Sequence, residues 1–442
     1  MLVFSILFVA TQAFGLIHEY DFAWKGYFNI DALLFIFYGV GISLSLFHIG
    51  ELRKSLFIVP FMIILLLLFF GIFYPWFMGF SSLYYSIKQS KEFMNYLCYF
   101  SMFCAIRRES DLRLSWYVMV VFAIYFALLE VLGNVSGGEI AELLQYNYRK
   151  DEMAMIKIYI PIFTLMIPIL FYYFYKFLAY RNRLVSSTIM LLMFIGILLT
   201  FFRAYILAVV VTIPVLLIIT NKLTKSLIAI VVMLPVLVIS VFVVYDLNAK
   251  NDESLVHSFI DRYEQTFDVF FSSGVRELYR YEGGALIGRN RVAIGLKELV
   301  SHRPLLGLGF LDVESELGRK VRTTIGYQGT SEIGFVDKGY LDVMAKFGLV
   351  GGVLLYGSIL YAFFRLVRIC RADIDGETQA QAFAAAGLIM VFLISQLTHA
   401  NLTRQFGILP LALLLGLVDR RYTFFSKPCV RQECVPSATV PS

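Results

Sequence analysis

The sequence predicts an all-α polytopic membrane protein with about twelve transmembrane helices and one large, partly helical extracytoplasmic loop. Three observations predict it. Of 442 residues, 59% are hydrophobic and only 16% charged, with a mean hydropathy of +0.75, whereas soluble domains carry charge on about a quarter of their residues. Apolar runs near the length that crosses about 30 Å of hydrocarbon, roughly 20 residues at 1.5 Å each, recur along the chain. The Lys and Arg residues fall in short clusters between those runs, as topology signals do.

Read in order, the helices are expected near residues 2–17, 30–49, 56–75, 93–106, 114–133, 157–178, 184–201, 204–220 and 226–247, then 338–364, 381–399 and 407–419. The first run resembles a signal sequence in length but has no charged start and no small-residue cleavage site, so it counts as a span. The chain thus divides into 1–247 with nine helices, a loop over 248–337, three more helices over 338–420 and a tail over 421–442. Residues 184–220 cannot be one helix, because 37 residues would reach about 55 Å. They read as a hairpin with its only charge, Arg203, at the turn.

Loops containing Arg53 and Lys54, Arg107, Arg108 and Arg113, Arg181 and Arg183, Lys222 and Lys225, Arg365, Arg368 and Arg371, and Arg420, Arg421 and Lys427 are basic. The alternating set is poorer in Lys and Arg. By the positive-inside rule both termini are assigned to the cytoplasm and the 248–337 loop, with the Arg203 turn, to the outer face. The net charge of +6 is accounted for by these clusters, and no nucleic-acid partner is expected. Forty-two Phe and 27 Tyr suit many crossings, Tyr at the headgroup boundary above all. Cys98, Cys104, Cys370, Cys429 and Cys434 avoid the large loop and show no zinc-ligand spacing, so neither a structural disulfide there nor a metal or other cofactor is expected.

Three features could carry chemistry on the outer face, and each has a bland alternative. Arg203, isolated between two apolar helices, either partners an anion or snorkels to headgroups. The loop carries Arg276, Arg280, Arg289 and Arg291 around an amphipathic stretch at 292–300 that Pro304, Gly307 and Gly309 end; this is a phosphate-binding face, or a solvated helix. Asp337 stands where the chain re-enters the membrane, as a helix cap or as a general base. Asp342 and Lys346 lie one turn apart, a spacing that neutralises charge.

These residues resemble the O-antigen polymerase and O-antigen ligase superfamily (Wzy and WaaL types), over the layout and, by motif, about residues 195–355. Arg203 matches an Arg at the outer turn of a helical hairpin. Gly288, Arg289, Pro304, Gly307 and Gly309 match a Gly-Arg and Pro-x-x-Gly-x-Gly pattern, with Ala293 in place of the usual Trp. Tyr340-Leu341 and Gly348-Leu349-Val350-Gly351 match the last motif, with Asp337 where the family has His. That replacement points away from the ligase branch and towards the polymerase.

The resemblance implies a GT-C-like glycosyltransferase of the bacterial inner membrane, active on undecaprenyl-diphosphate-linked oligosaccharide without a metal. It implies Arg203 and Arg289 on the diphosphate, Asp337 as base, and Arg291, Arg280 and Tyr340 as further substrate contacts. A flippase and a chain-length regulator are implied as functional partners. The rival class is a transporter such as the flippase itself, which would carry charge inside its central helices.

Overall fold

A segment in lipid has no water to satisfy its N–H and C=O groups, so long apolar runs fold as helices that pair these groups internally. The computed structural model describes residues 30–136, 138–144, 148–150, 156–158, 163–179, 183–200, 202–221, 300–311, 339–372, 374–396 and 399–425, with residues 297, 315 and 319. The expected spans at 2–17 and 226–247 lie outside these residues.

The order is α1 (Ile30–Phe47), α2 (Ile58–Phe77), α3 (Leu83–Ser90), a 3-10 turn Phe93–Leu97 running into α4 (Cys98–Ala105), α5 (Glu109–Val135), a hairpin of β1 (Tyr148–Lys150) and β2 (Ile156–Ile158), α6 (Met166–Ala179), α7 (Arg183–Leu199), α8 (Arg203–Ile219), α9 (Gly339–Arg371), α10 (Gly376–Ser395) and α11 (Gln405–Phe425). By length and composition α2, α5, α9 and α10 can cross a membrane. The protein is therefore a helical membrane protein.

The packing centre is α10, which contacts α6, α8, α9 and α11. Its buried stretch over residues 380–387 is rich in small residues, with Ala380, Ala382, Ala384, Ala385, Ala386 and Gly387 around the single ring of Phe383. Where lipid tails are as apolar as Leu, helices associate through close backbone approach and dispersion contacts, and small residues permit that approach. Around α10, α2 packs on α9, α7 on α5 and α6, and α4 on α1 and α11.

Two expectations change. The span expected from 157 begins later: β2 pairs with β1, with Tyr148 opposite Ile158, and helix appears only from the 3-10 turn at Phe163. Ile156-Lys157-Ile158 alternates as a strand does, and Pro161 disfavours helix in the residue before it. The expected helix to 399 stops at Ser395, leaving an irregular stretch that includes Gln396 and residues 399–404. Residues 184–220 do form two helices, broken at Thr200–Phe202, as length requires. They splay, α7 towards α5 and α6 and α8 towards α10.

At one end of the bundle α11 supplies three consecutive anchors. Asp419, fully buried, accepts hydrogen bonds from Ser55 Oγ (2.6 Å), Tyr99 Oη (2.6 Å), and the Leu56 and Phe57 amides (2.9 and 3.3 Å). It thereby caps the start of α2 across the fold. Arg420 pairs with Glu51 (2.7 Å) and donates to the Ile106 carbonyl (2.8 Å). Arg421 reaches Asp375 (3.2 Å) and Thr378 Oγ1 (3.0 Å). Arg107 lies 3.9 Å from Glu51, and Arg371 donates to the Ile219 carbonyl (2.8 Å) at the end of α8. Basic clusters far apart in sequence thus gather at one face, several of them in ion pairs.

Removing the Asp419 carboxylate leaves two hydroxyls and two amides without their acceptor, each worth about 1–3 kcal/mol when buried. Asp419→Ala is expected to lose more than about 3 kcal/mol on that scale, read as a clear drop in melting temperature in detergent, with Asp419→Asn intermediate; a melting curve identical to wild type contradicts the cap. Asp375 offers a pH test. Burial pushes its carboxyl up, but hydrogen bonds from Thr378 and the Arg421 charge outweigh this and hold it below its ordinary 3.8. A depressed carboxyl lends stability that is complete above 3.8 and is lost as pH falls through its lower folded value. Melting temperature should therefore fall more steeply in wild type than in Asp375→Asn as pH is lowered through that window.

Candidate functional site

The site begins with a break in a helix. At Gly348 the backbone of α9 turns to φ 64°, ψ −169°, a conformation open essentially to glycine alone. The break strips nearby peptide groups of helical partners, and the segment Pro304–Phe310 replaces them. Leu349 N–H donates to the Pro304 carbonyl (2.8 Å) and Val350 N–H to Leu305 (3.1 Å), while the Ala345 and Lys346 carbonyls accept from Leu308 and Gly309 (2.8 Å each). Phe310 N–H continues to the Gly71 carbonyl of α2 (2.8 Å), and its ring packs against both Phe93 and Phe347. The approach is close enough that a Cβ at Gly348 would collide with the Leu305 carbonyl oxygen. The Pro-x-x-Gly-x-Gly and Gly-Leu-x-Gly stretches, separate in sequence, are one joint.

Above the break, the first turns of α9 carry Asp342 and Lys346. Lys346 Nζ donates to Asp342 Oδ2 at 2.7 Å, and Thr403 Oγ1 donates to the same oxygen. The i,i+4 pair forms as its spacing suggests, but with the Asp342 side chain 1% exposed, so it is interior. Beside it, Arg404 Nη1 donates to both oxygens of Glu92 at 3.2 and 3.3 Å. The two pairs line a partly open cleft with Gln89, Gly309 and Leu311.

A second contact ties the α7–α8 tip to the same region. Tyr205 Oη donates to Asn401 Oδ1, and Asn401 Nδ2 donates to Ser395 Oγ (2.6 Å). The His399 ring packs edge-on against Phe202, centroids 5.4 Å apart, and lies 5.1 Å from Tyr205. Gly339, which opens α9, abuts Gln396 and the His399 carbonyl so tightly that a Cβ has no room. The stretch after α10 is therefore a hub, touching the hairpin tip, the start of α9 and, through Thr403 and Arg404, the cleft.

The expected site residues divide accordingly. Arg203 is the first residue of α8, between Phe202 and Tyr205, both of which face the hub. Tyr340 is half-buried in the first turn of α9. Asp337, Arg280, Arg289 and Arg291, with Arg276 and Ala293, lie outside the described residues. Sequence reasoning missed Gln89, Glu92, His399, Asn401, Thr403 and Arg404. One of them carried a usable signal: Arg404 is a lone charge between two apolar helices, the same argument that singled out Arg203. Glu92 had none, being flanked by Lys88 and Lys91 in a stretch of polar residues. Among the described residues no three His, Cys, Asp or Glu side chains are grouped to hold a metal.

Chemically the region offers both signs of charge, a cleft, and chain segments from five parts of the sequence meeting at one end of the bundle. Residues 188–356 match the family Wzy_C, described as O-antigen ligase. This is a domain shared by polymerases and ligases that transfer lipid-linked glycans, and the match does not resolve the branch. No curated protein matches the chain. The matched stretch starts in α7 and ends in α9, so it includes the hairpin tip and the joint at Gly348.

Gly348→Ala places a side chain where φ is positive and a carbonyl already sits, a conformation that costs about 1–3 kcal/mol before any clash. It is expected to lower thermal stability in detergent, whereas Gly357→Ala, which meets nothing within 4 Å, should melt as wild type does. Equal melting of the two variants would contradict the joint.

Proposed function

We propose that the chain, in which residues 188–356 carry the Wzy_C domain, is a polysaccharide repeat-unit polymerase of the bacterial cytoplasmic membrane, serving O-antigen and lipopolysaccharide assembly at the outer face with both termini in the cytoplasm. The observation that carries this reading is the convergence of the hairpin tip, the start of α9 and the 399–404 segment at one end of the bundle, within or beside the matched domain. The donor is a growing glycan on undecaprenyl diphosphate; the acceptor is a single lipid-linked repeat.

In the reaction the acceptor hydroxyl oxygen attacks the anomeric carbon of the donor. The bond from that carbon to the phosphate oxygen breaks, its electron pair leaves with undecaprenyl diphosphate, and the hydroxyl proton passes to a base. Arg203 and Arg289 stabilise the departing oxygens; unit charges 4 Å apart are worth about 4 kcal/mol at an effective dielectric near 20. Asp337 accepts the proton. Arg291, Arg280 and Tyr340 contact the diphosphate or the sugars. A flippase supplies the acceptor, and a chain-length regulator sets when the product is released.

The alternative within the same domain is a ligase, which hands the finished glycan to a lipid A core. The family's description as O-antigen ligase favours it; Asp337, where ligases of this family carry His, favours the polymerase.

Incubating the purified protein with a defined lipid-linked repeat and sizing the product tests the reading, since a polymerase makes a ladder from this substrate alone and a ligase needs a second acceptor. Arg203→Lys and Arg289→Lys are each expected to lower the rate about 100-fold or more, as loss of an oriented donor to a leaving group does. Asp337→Asn should lower it by about 100-fold to 10,000-fold, the range for a general base. Unchanged ladders in the Lys variants refute the diphosphate assignment, and full activity in Asp337→Asn removes it as base.

A further inference from the structure

The cleft between α3, the Gly309 joint, the first turns of α9 and the 399–404 segment has no role in the chemistry above. We infer that it is a binding subsite for an uncharged, polyhydroxylated sugar ring of the glycan substrate, read by Gln89, Glu92, Lys346 and Arg404; this deepens the polymerase reading and rests on it for the identity of the glycan.

Four observations carry it. First, the charges cancel. Asp342 pairs with Lys346 at 2.7 Å and Glu92 with Arg404 at 3.2 Å, so among the described residues the cleft has no excess cation to attract phosphate, which is bound best by guanidinium groups free to fork around it. Second, the same pairs fix charged donors and acceptors side by side. A sugar hydroxyl donates one hydrogen bond and accepts others, so a ring edge is matched by a wall that offers both, and hydrogen bonds to charged groups are the stronger kind.

Third, two polar groups on the wall have capacity to spare among the described residues. Gln89, half-buried, lines the cleft and makes no hydrogen bond there, and a carboxamide offers both a donor and an acceptor. Lys346 hydrogen-bonds only Asp342, and an ammonium has three protons. Fourth, Leu311 supplies an apolar side, suited to the C–H face of a ring.

The position agrees with use by the substrate. Thr403 and Arg404 lie in the segment whose His399 and Asn401 hold the hairpin tip, and Gly309 is hydrogen-bonded to the residue that carries the Lys346 ammonium. A glycan whose diphosphate end lies near Arg203 therefore has this cleft on the same end of the bundle.

The probe is the repeat-unit oligosaccharide released by mild acid from the lipid-linked pool of the host strain, so that neither lipid nor phosphate contributes. Binding to the purified full-length protein is measured by isothermal calorimetry or saturation-transfer NMR. Gln89→Ala and Glu92→Gln are each expected to weaken the dissociation constant about tenfold, one charged or amide hydrogen bond in the usual arithmetic. Lys88→Ala, on the same helix with its side chain exposed, should leave it unchanged. Gln89→Ala removes no interaction among the described residues, so it keeps the test valid if Glu92→Gln proves unstable.

Trimming the non-reducing sugar from the probe identifies its source: binding lost means the acceptor end is read, binding kept means the donor end, and either requires the subsite. Wild-type affinity in both variants, or no binding of the probe by a protein that still polymerises, overturns the inference while sparing the polymerase. Binding that depends on Gln89 in a protein that forms no ladder overturns the polymerase and leaves the subsite.

Discussion

Every interruption of a helix at membrane depth must have its freed peptide groups satisfied by another part of the chain, because lipid offers them nothing. That constraint organises this protein. At Gly348 the carbonyls of Ala345 and Lys346 and the amides of Leu349 and Val350 are met by one short segment, Pro304–Phe310. The segment belongs to the large loop by sequence, yet these hydrogen bonds bind it to α9 and, through Gly71, to α2. The break and its filler therefore fix where the loop meets the bundle, and with it the position of the first turns of α9.

The same logic explains why functional candidates collect where helices stop. The hairpin tip at Thr200–Phe202, the break in α9 and the stretch after α10 are the places where backbone and polar side chains can gather without facing lipid alone. Aromatic side chains around them, such as Phe163 stacked on Phe202 with centroids 4.9 Å apart, seal the gaps. The interior ion pairs fit this view. Asp342 with Lys346 and Glu92 with Arg404 would be costly as isolated charges, and each keeps its partner within hydrogen-bond reach.

At the opposite end, order is imposed differently. Asp419, Arg420 and Arg421 are three neighbours on one helix that each serve a different element: the start of α2, the Glu51 turn with the end of α4, and the cap of α10. Residues that look like simple topology signals are thus also the fasteners of the bundle. One end is held by these fasteners, and the other, where the breaks lie, holds the candidate cleft and the hairpin tip.

Much of this was legible in the amino acids themselves. Apolar length forced the break inside 184–220, because no single helix of that length fits a bilayer, and composition alone established a helical membrane protein. A lone Arg203 between apolar runs marked the hairpin tip, and the glycine patterns at 304–309 and 348–351 were visible as motifs. Their mutual contact was not, because hydrogen bonds between residues some 40 positions apart leave no local trace in either stretch. Glu92 and Arg404 lie still further apart, and each looks like an ordinary charge near a helix end until the fold brings them to one cleft. The sequence determined most of the helical segments and the break inside 184–220, since these depend on local hydrophobicity and length; only the tertiary structure decided the break at Gly348 and which broken ends meet, since that depends on contacts between distant segments packed around α10.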